Sequence, residues 1–287
     1  MALMQLEVRC CSQNLVDFPS PTSLTVTQAV TPMEAHDVAV AIAEQDSLHP
    51  QQPMVVWSWP VTSPLQDYLH VSRSDWKTPS ALVARVSTPA SFQYLAVSVS
   101  RRPSILSVSL ALYSPELNPP KLTALARLLL QIYEESNGSA PTLLSALLRL
   151  LSRGTVKTAL GVFGVSSYPS THIPPVSGLI SRLAERSLLL WIAVMLRKRI
   201  FVVAKSSELV QVIMSIAALA AHRKQYEICH PFLEIDKSTE HEQVELRALG
   251  KGQCIAGFTS EKTSRLEEHW DVLVHCMRLF ISIVLII

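Results

Sequence analysis

The chain has 287 residues, enough for one large domain or two of ordinary size, each able to bury a core without cross-links. Apolar residues make up 48% and charged residues 17%, against roughly 25% charged in ordinary soluble domains, which excludes a disordered tail protein. With 25 Lys and Arg against 23 Asp and Glu, the formal charge of +2 supplies no long-range field for nucleic acid, and DNA or RNA binding is not expected.

The longest apolar runs, Leu188 to Leu196 and Ile283 to Ile287, fall far short of the ~18 residues a membrane-spanning helix needs. Met1 to Cys11 contains Glu7 and Arg9 and lacks the charged-then-apolar order of a secretory signal, so a cytosolic protein is expected. Of the five cysteines, Cys10 and Cys11 are adjacent and Cys229, Cys254 and Cys276 scattered. That pattern is neither a disulfide framework nor a zinc spacing, and it predicts reduced, buried thiols.

In chain order, residues 1–34 are rich in Ser, Thr and Pro without a period and read as a poorly ordered extension. Val38 to Ile42 and Val55 to Trp59 are short apolar or alternating runs around a polar stretch, which predicts a hairpin with a long loop. A short helix is expected over Leu65 to Trp76, then strands over Leu82 to Val86, Phe92 to Val99 and Ile105 to Tyr113. The alternation in Phe92 to Val99 predicts that one face is wet.

Asn118-Pro119-Pro120 predicts a capped helix start, Leu122, Leu125, Leu129 and Ile132 recur at helical spacing, and Asn137-Gly138 ends the run. Pro141 opens a second helix with a stripe of Leu144, Leu147, Leu148 and Leu151, closed by Gly154. Sheet then helices is an α+β order, assigned to residues 35–153. Half of the eight glycines (Gly154, Gly161, Gly164 and Gly178) crowd the interval 154–178 with several Ser and Pro, which predicts a linker.

Residues 179–276 alternate helix with short apolar strand. Leu179 to Leu196 is apolar nearly all round from Leu188 onward and predicts a central, buried helix, with Arg197, Lys198 and Arg199 offsetting its terminal dipole. Ile200 to Val203 follows as a buried strand, then a helix from Ser206 or Ser207 to about Arg223, then strands at Cys254 to Phe258 and Trp270 to Val274. This alternation implies crossover connections and a largely parallel sheet. Leu190, Val194 and Val203 are assigned to the core.

Chemistry-bearing patterns are missing. Gly250-Lys251-Gly252 lacks the spacing of a phosphate loop, no Ser sits in a Gly-x-Ser-x-Gly frame, and His241-Glu242 lacks the second His of a helical zinc site. His230 and His275 are expected to be structural. No catalytic residue, metal or cofactor is assigned.

The ordered series from Leu188 through Arg199 to Val203, then Ser206-Ser207-Glu208-Leu209, Ile216 to Leu219, His230-Pro231 and Cys254 to Phe258 resembles the central module of DENN-domain proteins. Val55 to Pro60 and Asn118 to Lys121 are similar to the N-terminal module of the family's compact members. The resemblance runs from about Asp37 to about Val274. Tyr226 stands where many such modules carry tryptophan, and the proline before the closing strand is absent, with Gln253 in the neighbouring position. The family's C-terminal helical part has no counterpart, and the apolar residues 277–287 read as an apparent truncation, an exposed run prone to aggregate.

The resemblance implies a longin-like first module, an α/β central module, and a Rab-family GTPase gripped where they meet. It implies nucleotide exchange without covalent chemistry, on late endosomal membranes bound peripherally. The alternative it allows is a non-catalytic interaction subunit of an endosomal sorting or recycling assembly. A small-molecule enzyme ranks behind both, because Gly-rich phosphate fingerprints are missing. Trp59, Tyr68 and Trp76 are the aromatic candidates for partner contact, and Arg197, Lys198 and Arg199 the cationic ones.

Overall fold

The structure is a computed structural model, described over residues 3–6, 38–48, 53–60, 81–86, 91–158, 161–167, 176–219, 228–233, 252–259, 268–276 and 281–286. A short strand β1 (Leu3–Leu6) precedes β2 (Ala39–Asp46), β3 (Met54–Trp59), β4 (Ala81–Val86), β5 (Ser91–Val99) and β6 (Ile105–Ser114). Strands β2 to β6 form one antiparallel sheet in the order β3-β2-β6-β5-β4. Its strands fall where the sequence predicts them, and β2 with β3 is the expected hairpin. The expected helix over Leu65 to Trp76 lies outside the described residues.

The period of two sorts side chains between the sheet's faces. Val40, Ile42, Tyr94, Ala96, Val108, Leu110 and Leu112 enter the main core, while Ala41, Leu95, Ala111 and Tyr113 form a second buried cluster. The expected wet face of β5 is therefore corrected: from Phe92 to Ala96 both faces are buried. Burying Tyr94 is tolerable because its hydroxyl is satisfied, donating to the Glu116 carbonyl at 2.7 Å and accepting the Asn118 amide at 3.0 Å.

Helix α1 (Pro119–Glu135) starts as its sequence predicts. The Asn118 side chain accepts the Lys121 amide, Pro occupies the first turn, and Asn137 and Gly138 take positive φ at the end. In α2 (Ala140–Arg153) Ser139 caps the start and Gly154, at φ 68°, ends it. Its buried face is Leu143, Ala146, Leu147, Leu150 and Leu151, whereas Leu148 of the expected stripe is exposed. A helix this rich in leucine offers two stripes of equal quality, and packing on α1 selects one.

The interval expected as a linker carries structure. Strands β7 (Thr155–Thr158) and β8 (Gly161–Gly164) pair antiparallel, a 3-10 turn covers Val165–Ser167, and α3 (Val176–Leu183) follows. Val156 and Val165 are buried in the main core.

After α4 (Arg186–Met195) come β9 (Ile200–Val203), α5 (Ser206–Ala218), β10 (Cys229–His230), β11 (Ile255–Phe258), β12 (Val272–Cys276) and β13 (Ile281–Ile286). The helix expected to reach Arg223 ends at Ala218 with a turn at Leu219, and Tyr226 lies outside the described residues. The six-stranded sheet has the order β1-β13-β12-β9-β11-β10. Strands β12, β9, β11 and β10 run parallel, as the alternation of helix and strand predicts, while β13 is antiparallel to both its neighbours. The protein is thus a mixed α/β fold, with five helices and three sheets among the described residues.

Two sequence expectations meet here and are corrected together. Residues 281–286, read as an exposed apolar run, have their backbone paired on both sides, to β12 and to Leu3–Leu6 of the segment read as unordered. The Ile- and Val-rich run is a good strand former, and pairing removes the bare edge that made it a hazard.

Strand β9 is the centre of this sheet, with all four residues buried. Beside it, α5 closes on β11 at Gly257, where an added Cβ would lie 2.5 Å from Ile213 Cδ1 and 2.6 Å from the Pro231 carbonyl oxygen. The entry into β9 is fixed by Asp271. Its carboxylate accepts the Arg199 amide at 2.8 Å and the guanidinium at 3.0 and 3.2 Å, while Arg199 Nη1 donates to the Glu268 carbonyl. Partial burial pushes the Asp271 carboxyl up, but the hydrogen bonds and charge of Arg199 outweigh that and hold it below the usual carboxylate range.

Two stability predictions follow from these contacts. Gly257→Ala forces a methyl against backbone and core, and a loss of about 1–3 kcal/mol is expected in denaturant unfolding. An Arg199→Met, Asp271→Asn double-mutant cycle is expected to show about 1–2 kcal/mol of coupling. Because the carboxyl is depressed in the fold, that stabilisation is full above its ordinary range and is lost as pH falls through the folded value. In the Asp271→Asn protein this acid-side slope should flatten.

Candidate docking face

The segment Leu179 to Leu196, expected to be one buried helix, is two helices meeting at a corner. Ala184 takes φ 49°, which breaks the helical path, and Ser187 Oγ donates to the Ala184 carbonyl at 2.6 Å across the turn. Nothing in the residue type marks this break, since Ala is the best helix former and rarely left-handed.

Past the corner, Leu190, Ala193 and Val194 of α4 are buried. The opposite side is open: Leu188 is 58% exposed, Leu189 43%, Trp191 42%, Ile192 38% and Leu196 64%. At about 100° per residue these five side chains fill an arc of roughly 160°, and the buried three fill the arc facing it. From Ser187 to Leu196 there is no charged residue at all. The all-round apolar pattern predicted burial on every side, and this is corrected: only the face toward the core is covered.

The helix ends in a regular left-handed cap. Arg197 has φ 56°, its amide donates to the Val194 carbonyl at 3.1 Å, and the Lys198 amide donates to the Ala193 carbonyl at 3.0 Å. Gln253 Nε2 also donates to the Val194 carbonyl, at 3.1 Å, and helps close this end. The cap leaves Arg197 and Lys198 exposed at the rim of the apolar arc. Arg199, two residues on, is turned inward onto Asp271.

The sequence-nominated contact residues therefore divide. Arg197 and Lys198 join the exposed face and Arg199 is a structural clamp. Trp59 lies on β3, the edge of the other sheet, opposite Val40 and partly buried against the main core. Tyr68 and Trp76 lie outside the described residues. Sequence reasoning missed Leu188, Leu189, Trp191, Ile192 and Leu196, because a uniformly apolar run has no period to show which side faces out.

Burial pushes the Cys254 thiol up to about 12 and Cys276 up to about 11, leaving both protonated and inert. His230 on β10 and His275 on β12 are held apart by β9 and β11, about 14 Å at the usual strand spacing. Among the described residues no cluster of His, Cys, Asp or Glu can hold a metal ion, and no helix is long and apolar enough to cross a membrane.

Residues 173–278, which include α3, α4 and the parallel strands, match the family described as Stabilization of polarity axis. The chain is 30% identical over 176 residues to DENN domain-containing protein 10 of Dictyostelium discoideum, covering 59% of this chain and 46% of that protein. The protein of the same name is 24% identical over 172 residues in Danio rerio (58% of this chain, 48% of the relative) and in Homo sapiens (58% and 46%). The chain spans a little under half the length of these curated relatives. These matches, with the ordered motifs around β9, establish that the chain is related to the DENN-domain family.

Proposed function

We propose that the chain is a guanine-nucleotide exchange factor for a Rab-family small GTPase in endosomal vesicle trafficking. The observation that carries this reading is a coincidence in the chain: the segment matching the polarity-axis family, residues 173–278, is the one that holds the exposed, cation-rimmed end of α4. An exchange factor holds the nucleotide-free GTPase more tightly than the GDP form, and that difference in affinity sets how far release is accelerated.

In this reading residues 35–153, the antiparallel sheet with α1 and α2, are the longin-like module, and residues 179–276 the central module. The GTPase sits where they meet. Arg197 and Lys198 reach acidic groups of the partner, Trp59, Tyr68 and Trp76 are its aromatic anchors, and Arg199 serves by positioning the other two cations. The protein works peripherally on late endosomal membranes.

Release of a fluorescent GDP analogue from a panel of purified Rab GTPases tests this directly. Acceleration of one or a few Rabs is expected, with Arg197→Glu, Lys198→Glu lowering the second-order rate about tenfold and flattening or reversing its fall with added salt. Flat traces across the panel from folded, monodisperse protein overturn the exchange reading. Pull-down of an endosomal sorting or recycling assembly by the same sample then selects the non-catalytic subunit instead.

A further inference from the structure

Charge is segregated along this chain. From Ser136 to Ser207 nine Lys and Arg accompany a single carboxylate, Glu185, so this stretch carries +8 and the remainder −6 within a total of +2. The same stretch holds the open arc of α4 and further exposed apolar side chains, Leu148, Val162 and Ile180. Between Val176 and Lys205 the sequence has six cations and Glu185; Arg199 is paired with Asp271 and Arg182 lies 3.6 Å from Glu208, while Arg197, Lys198 and Lys205 are exposed.

We infer that the outer face of α4 docks on an anionic lipid surface, with Leu188, Leu189, Trp191, Ile192 and Leu196 entering the headgroup boundary and the flanking cations meeting lipid phosphates and carboxylates. Three features favour lipid over a protein surface. Protein interfaces carry about one hydrogen bond per 100–200 Å², whereas the outward side chains here offer only the Trp191 indole N–H. Acyl chains ask for no hydrogen bonds, and an indole is at home at the boundary between headgroup and chain. Exposed cations, Arg197 and Lys198, sit at the C-terminal end of the apolar arc, where they would meet a charged membrane surface. The helix is also rigidly mounted, since Leu190 and Val194 are fully buried on its inner side. The inference competes with the exchange reading for Arg197 and Lys198, which that reading directs to the GTPase, and the vesicle-free arm of the test below separates the two.

Co-sedimentation of the full chain with vesicles of phosphatidylcholine alone, or with about 30% phosphatidylserine, tests it. Binding is expected to the acidic vesicles, with a steep loss on adding salt. Leu188→Glu, Ile192→Glu should weaken it at least tenfold without changing the thermal unfolding profile, both residues being exposed. The blue shift of tryptophan emission on vesicle addition should be lost in Trp191→Phe. Failure of the wild-type chain to bind acidic vesicles overturns the inference, as does equal binding by the double variant. It is equally overturned if that variant converts a dimer to a monomer in gel filtration, or abolishes GDP release from a GTPase in vesicle-free solution; either result assigns the face to a protein.

Discussion

Asp271 holds the Arg199 amide and guanidinium at once, and the Arg199 carbonyl in turn accepts the amides of Asp271 and Val272. This reciprocal grip joins the start of β9 to the start of β12, so the central parallel pair of the larger sheet is registered at its first residue. It also fixes where α4 must end. With Arg199 pulled inward and Val194 anchored in the core, the two residues between Leu196 and Arg199 have to reverse direction, and the left-handed turn at Arg197 does so. The exposure of Arg197 and Lys198 is thus a consequence of the clamp. The apolar arc is held in one orientation for the same reason.

The smaller sheet has its own ionic anchor. Arg102 reaches Glu44 at 2.6 Å and Glu134 at 3.2 Å, Tyr133 donates to Glu44 at 2.7 Å, and the guanidinium lies 5.4 Å from the Tyr133 ring centre. It ties β2, the turn between β5 and β6, and the end of α1 into one network. Charges this poorly exposed gain little net energy over apolar packing, but they fit only one register of helix on sheet. The main apolar cluster then runs without interruption from Val38, just before β2, to Cys276 in the larger sheet. Each half is locked internally by ions and the two are joined by burial.

Local signals in the sequence were legible and non-local ones were not. Asn118, Pro119 and Gly154 mark helix ends through chemistry confined to a few residues, and the structure uses them as read. The strand period placed β2 to β6 and the apolar runs placed β9, β11 and β12. The pairing of β13 with Leu3–Leu6 joins the two ends of the chain, and the Arg199–Asp271 pair spans 72 residues. No local pattern announces contacts of that range. The corner at Ala184 was invisible for the opposite reason, because the residue there prefers the conformation it does not adopt.

The exposed face was illegible in a more instructive way. Uniform apolarity from Leu188 to Leu196 states that every side of the helix favours leaving water, yet the chain covers only one side. The five side chains are 38–64% exposed, so each forgoes about half of the ~1.5–3 kcal/mol that full burial brings. The residues are rigidly displayed, so the cost of ordering them is already met before anything docks. Exposed Arg197 and Lys198 at the rim of this face favour an anionic counterpart. A helix with these properties is stable in place because of Leu190, Val194 and the clamp behind it, and its outer half is available to whatever surface the cations draw in.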